Sequence, residues 1–129
     1  MNRKYFLSID NGTQSVRAMV FDGQGQIIAK SKIDIEPYFS NQKGWAEQNA
    51  EYFWNSLCQA CMELWPKLSI SKESIAAASV TTQRATIVPM GKDNQPLRPA
   101  ISWLDQRQVQ TKPELAKLES IIMLSLIHI

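Results

Sequence analysis

Residues 5–22, Tyr5-Phe-Leu-Ser-Ile-Asp10-Asn-Gly-Thr-Gln-Ser-Val-Arg17-Ala-Met-Val-Phe-Asp22, constrain this chain more than any other stretch. An apolar strand pattern runs straight into one carboxylate, Asp10. Tyr5 to Ile9 and Val16 to Phe21 are both rich in β formers, which predicts strands over about Tyr5 to Asp10 and Val16 to Asp22. Between them Gly12 lets the backbone turn sharply and approach a ligand closely. Thr13, Gln14 and Ser15 set side-chain donors beside backbone N–H groups, a cradle for anionic oxygens. Asp10 can hold a Mg²⁺ ion, commonly through its waters. The Arg17 fork suits phosphate oxygens. An ordinary hairpin uses the same residues, because Asn-Gly favours tight turns. Arg17 alone reads equally well as a solvent-facing strand residue.

A third strand follows over about Ile27 to Ile35, after the Asp-Gly-Gln-Gly turn. Asn49 then caps a helix with Glu51 in its first turn. Phe53, Leu57, Cys61 and Leu64 recur at helical spacing as an apolar stripe, and Pro66 ends it. Ile75 to Thr82 is Ala-rich and β-branched, which predicts a buried strand parallel to the first. Thr86 to Met90 and Leu97 to Trp103 read as two more strands around a Gly91–Pro96 turn. Asp105 to Leu118 reads as a second helix, broken or restarted at Pro113.

Three places carry further candidate chemistry. Gln83 and Arg84 follow the buried strand, and ligands gather at the carboxyl ends of strands in α/β sheets; a polar loop is the plainer reading. Trp103 could lay its ring on a carbon skeleton, or it could pack in the core. Asp105 and Arg107, two apart, could pair or cap. Cys58 and Cys61 form a Cys-x-x-Cys inside the helical pattern with no second ligand pair, so they read as small apolar residues. Trp45 and Glu47 read as structural, and Trp54 and Trp65 as helix packing.

The segment Asp10-x-Gly-Thr-x-Ser-x-Arg17 resembles the first phosphate motif of the FGGY carbohydrate kinases, which have an actin-like ATPase fold. Gly44-Trp45-Ala46-Glu47-Gln48, Thr81-Thr82-Gln83-Arg84 and Trp103-Leu104-Asp105-Gln106-Arg107 resemble later stretches of that family, in order. The resemblance implies an α/β, ribonuclease H-like domain with a mixed sheet. It also implies ATP and Mg²⁺ as cofactors, with Asp10 as the metal-side carboxylate and Arg17 beside the transferring group. Gly12, Thr13, Gln14 and Ser15 would contact nucleotide phosphates. Gln83, Arg84, Trp103 and Asp105 would meet the hydroxyls of a sugar or polyol. Glycerol-kinase-type relatives have Gln-Arg-Glu where this chain has Gln83-Arg84-Ala85; xylulokinase-type relatives have Gln-Met-His. The family's general base lies in a later segment, so none is assigned here.

The chain has 129 residues and a net charge of +2, too little to argue for nucleic acid or an acidic membrane surface. At 44% hydrophobic and 20% charged it fits a soluble globular protein, expected to be cytoplasmic. Residues 1–120 are expected to be an incomplete N-terminal lobe. Residues 121–129, Ile-Ile-Met-Leu-Ser-Leu-Ile-His-Ile, form an uncharged tail that reads as foreign to the fold. The alternative function is a non-catalytic actin-like nucleotide-binding or interaction module. A homo-oligomer is open for a full-length protein.

Overall fold

The computed structural model describes residues 4–107. Its centre is a four-stranded mixed sheet built from β1 (Tyr5–Asn11), β2 (Ser15–Phe21), β3 (Ile27–Asp34) and a later strand, Ile75–Val80. Between β3 and that later strand come a two-residue strand, β4 (Glu47–Gln48), and one helix, α1 (Ala50–Leu64). Ile75–Val80 is therefore β5, and Ala100–Ile101 is β6. The strand order is β3-β2-β1-β5, with β1 antiparallel to β2 and parallel to β5. The mixed sheet and the parallel pairing are as the sequence predicts.

Period-two alternation decides which face is covered. Val16, Ala18 and Val20 of β2 are fully buried beneath α1, while Arg17 and Met19 lie on the other face. Tyr5, Ile9 and Ala29 extend the same core. From α1, Phe53, Leu57, Ala60, Cys61 and Leu64 face the sheet. One polar tie crosses this apolar layer: the Ser31 hydroxyl donates to the Ala60 carbonyl at 2.6 Å. Asn49 caps α1 by accepting from the Glu51 amide at 2.9 Å. The helix stops at Leu64 and Pro66 opens a single 3₁₀ turn, Trp65–Lys67. Cys58 and Cys61 are free thiols on α1, and burial pushes the Cys61 thiol up. No helix among the described residues is long and apolar enough to cross a membrane.

Two expectations about strands change. β5 ends at Val80 rather than Thr82, and Ala76 to Val80 are exposed rather than buried. The reason is position: β5 is the sheet's edge strand, and α1 covers β1 to β3 beside it. The expected pair Thr86 to Met90 and Leu97 to Trp103 shrinks to β6 and two isolated bridges, Ile87 to Ile101 and Met90 to Pro96. Pro89, Pro96 and Pro99 lack the N–H groups that a longer ladder needs. The intervening turn is present, with the Gly91 amide on the Gln95 carbonyl at 2.8 Å. β6 pairs instead with β4, forming a small second sheet. Asp105 to Arg107 are not helical. The rest of the expected second helix, His128 and the tail 121–129 lie outside the described residues.

Leu64 is fully buried in the α1–sheet core, whereas Trp54 on the outer face of α1 is largely exposed. Leu64→Ala is expected to destabilise the protein by about 2–5 kcal/mol. Trp54→Ala should change stability by no more than about 0.5 kcal/mol. Urea unfolding of both variants checks this, and equal losses would contradict the assigned helix face.

Candidate functional site

The parallel β1–β5 ladder delivers the first half of the site. The Thr81 amide continues it past β5 by donating to the Ile9 carbonyl at 2.9 Å. That places the Thr81 hydroxyl to donate to Asp10 Oδ1 at 3.1 Å and to accept from the Asn11 amide at 3.1 Å. Across the antiparallel pair, Asp10 stands opposite Arg17, whose Nη1 reaches Oδ2 at 2.7 Å. Both side chains stay open to solvent, 37% for Asp10 and 45% for Arg17. An ion pair this exposed contributes only about 0–1 kcal/mol, so it serves to position rather than to stabilise.

The turn after β1 is tight. The Gly12 amide donates to the Ser15 carbonyl at 3.0 Å. A Cβ on Gly12 would meet that carbonyl oxygen at 3.0 Å, so the turn admits little besides glycine. Among the described residues, the Thr13 and Gln14 amides have no hydrogen-bond acceptor. Gln83 braces the turn from the β5 side, its Nε2 donating to the Gly12 carbonyl at 3.0 Å. Ser15 differs from its neighbours: it is buried at the start of β2 rather than presented at the turn. Two free amides, a hydroxyl, an open carboxylate and a guanidinium form a donor set that fits phosphate oxygens and a hydrated divalent cation.

Gln83, Arg84, Ala85 and Thr86 form a turn closed by the Thr86 amide on the Gln83 carbonyl at 3.2 Å. Ala85 adopts a left-handed φ of 61°, an uncommon conformation for a residue with a Cβ. Arg84 is exposed. Trp103 is 55% exposed, not packed in the core, and its Nε1 donates to Thr13 Oγ1 at 2.9 Å. Gln83 and Trp103 thus both meet the Gly12–Ser15 turn. Below them is a crevice of about 290 Å³ lined by Asn11, Phe53, Thr81, Gln83 and Thr86. Among the described residues Asn11 Oδ1 is buried without a hydrogen-bond partner, an acceptor to which nothing local in the sequence points.

Residues 5–125 match the N-terminal domain of the FGGY family of carbohydrate kinases. The chain belongs to that family. It is 38% identical over 107 residues to a glycerol kinase of Mycoplasma mycoides, covering 82% of this chain and 21% of the relative. A glycerol kinase of Ectopseudomonas mendocina is 37% identical over 105 residues, with 81% and 21% covered. The chain therefore spans about a fifth of the length of the curated relatives it matches. Among solved structures, a xyloylose kinase from Brucella ovis superposes with a TM-score of 0.76 at 21% identity, covering 80% of this chain and 22% of that one. A gluconate kinase from Lactobacillus acidophilus gives 0.70 at 24% identity, covering 80% and 20%. These likenesses establish the fold as that of the actin-like ATPases.

Asp105 lies behind this FGGY domain's open site rather than in it. Its carboxylate is 4% exposed and fully engaged. It accepts from the Ala46 amide at 2.6 Å and from Arg107 Nε and Nη2 at 2.7 and 2.6 Å. Arg107 Nη2 also reaches Glu47 Oε1 at 2.8 Å, and Arg98 binds the same oxygen. The Arg107 guanidinium lies 4.0 Å over the Trp45 ring. The spacing of Asp105 and Arg107 suggested a pair; nothing local pointed to Glu47, some sixty residues earlier, as its third member. Hydrogen bonding from Arg107, backed by the Ala46 and Arg107 amides, holds the Asp105 carboxyl well below the usual carboxylate range. Arg107 and Arg98 outweigh burial to lower Glu47 as well.

Depressed folded-state values fix the sign of a pH effect. The ion pair of Asp105 contributes stability above the unfolded aspartate value of about 3.9 and loses it as pH falls further. Asp105→Asn should lower the melting temperature most near neutral pH, with the gap to wild type narrowing below about pH 4. Thermal melts of both proteins across that range check it. A gap independent of pH would mean that shape, not charge, is what Asp105 supplies.

Proposed function

We propose that this chain forms part of the N-terminal lobe of a cytoplasmic, ATP-dependent kinase that phosphorylates a hydroxyl of a sugar or polyol. The observation that carries the reading is the solvent-open Asp10–Arg17 pair beside a turn with two unpaired amides. Phosphoryl transfer asks mainly for positioning and charge neutralisation, and this cluster offers both. The amides of Thr13 and Gln14 and the Thr13 hydroxyl donate to phosphate oxygens. Ser15 supports them from inside β2. Asp10 would hold Mg²⁺, which would supply positive charge against the phosphates. Arg17 exchanges its carboxylate for the oxygens of the transferring group. Gln83 and Arg84 hydrogen-bond the acceptor's hydroxyls, and Trp103 offers its ring to the carbon skeleton. Asp105 contributes by holding the Trp103 segment in place, in preference to direct contact with substrate. Similarity to named glycerol, xylulose and gluconate kinases supports the substrate class.

Two measurements test the reading in the enzyme that carries this chain, assayed against polyols, ketoses and aldoses. Asp10→Asn keeps shape and loses charge, so turnover should fall by about 10²-fold or more at any Mg²⁺ concentration. Unchanged turnover would remove Asp10 from the site. Ala85 bears on specificity, because it stands where glycerol-kinase-type relatives have a carboxylate. The native substrate is then bulkier or less polar than glycerol at that point. Ala85→Glu meets no new backbone strain and should shift the ratio of catalytic efficiencies toward glycerol by about 1–3 kcal/mol. A ratio that stays put, or moves away from glycerol, would take Ala85 out of the pocket.

A further inference from the structure

One side-chain to side-chain hydrogen bond ties the Trp103 segment to the Gly12–Ser15 turn. Trp103 Nε1 donates to Thr13 Oγ1 at 2.9 Å, across 90 positions of sequence. A threonine hydroxyl has a single proton and two lone pairs. Accepting from the indole occupies one lone pair. The Thr13 proton has no acceptor among the described residues, and the Thr13 and Gln14 amides beside it are also unpaired. The hydroxyl is thus left with a proton to donate to an anionic oxygen, beside the turn's free amides. The Trp103 ring, half in solvent, has few other tethers: its own amide reaches Thr86 Oγ1 at a long 3.4 Å.

We infer that Trp103 and Thr13 form a relay, indole N–H to hydroxyl to phosphate oxygen, through which nucleotide binding positions the ring that receives the sugar. The inference rests on the kinase reading above. Hydrogen bonds in series polarise one another, so a phosphate oxygen on Thr13 strengthens the bond that holds the indole. A ring fixed in advance spares the sugar that ordering cost. Linkage makes the effect reciprocal: bound sugar tightens nucleotide by the same factor. Thr13 and Trp103 act here as positioning residues for each other.

The test is calorimetric binding of glycerol and of xylulose to the full protein carrying this chain. Each is measured with and without saturating Mg²⁺ and a non-hydrolysable ATP analogue. In wild type the nucleotide should tighten the better probe by about 5-fold or more, the lower end of common coupling strengths. Trp103→Phe keeps a ring and loses the N–H, so the ratio of the two dissociation constants should fall toward one. A ratio is the right readout, because loss of direct sugar contact weakens both constants alike. Thr13→Ser keeps the hydroxyl and should keep the ratio. A Trp103→Phe protein with wild-type coupling overturns the relay, as does a wild type that phosphorylates sugar but shows no coupling. A wild type that phosphorylates no sugar or polyol removes the kinase reading and the relay with it.

Discussion

The parallel pairing of β1 with β5 is the constraint on which the rest of this lobe depends. Its register, Leu7 with Ala78 and Ile9 with Val80, brings two carboxyl strand ends to the same level. One more rung, Thr81 to Ile9, carries it past the end of β5 and fixes Thr81 against Asp10. Two residues further, Gln83 reaches the Gly12 carbonyl. Parallel strands need a long crossover, and α1 with the short 3₁₀ turns Trp65–Lys67 and Lys72–Ser74 supplies it while covering the inner face. Alternation then does the sorting. Ile9 points into the core and Asp10 away from it, so the charged groups collect on the uncovered side at one end of the sheet.

A second assembly holds the opposite wall. Residues 102–106 are zipped to residues 44–46 by three backbone amides: Ser102 to Ala46, Ala46 to the Asp105 carboxylate, and Gln106 to Gly44. Gly44 takes a positive φ of 82° there, which a residue with a Cβ adopts only with strain. Taking Glu47 and Asp105 out of water is costly unless their oxygens are satisfied. Arg107 serves both carboxylates at once and spreads its plane over Trp45. The short segment between these anchors projects Trp103 outward, toward Thr13. A buried ionic knot thus sets the height and direction of an exposed aromatic ring.

Much of this was legible in the sequence where the signal is local. β1, β2 and β3 announce themselves through runs of β formers and Gly-containing turns. α1 does so through Asn49, its apolar stripe and Pro66. The Asp10 turn was legible because a strand, a carboxylate and Gly12 follow one another without a gap. What was hidden depends on partners far along the chain. Ala76 to Val80 looks buried by composition, yet an edge position leaves it open. Thr86 to Met90 and Leu97 to Trp103 look like a strand pair until Pro89, Pro96 and Pro99 are counted against its hydrogen bonds. Asp105 looks like a hydroxyl ligand beside Trp103, but Arg107 and the Ala46 amide already occupy it. Ser15 belongs to the motif by spacing and to the core by burial.

Two arginine–aspartate pairs among the described residues differ sharply in their solvent exposure. Arg107 and Asp105 are largely out of water, with both Asp105 oxygens engaged, so neither can change partner without leaving the other charge unpaired. Arg17 and Asp10 meet at much the same distance but in solvent, where their bond contributes only about 0–1 kcal/mol. A pair held that weakly can open at little cost, freeing the carboxylate for a cation and the guanidinium for an anion. The same residue types therefore make a permanent joint in one place and an exchangeable one in the other. The exchangeable pair is tied to the permanent one. In this lobe the tie runs from Asp105 through Trp103 to Thr13, at the turn beside Asp10.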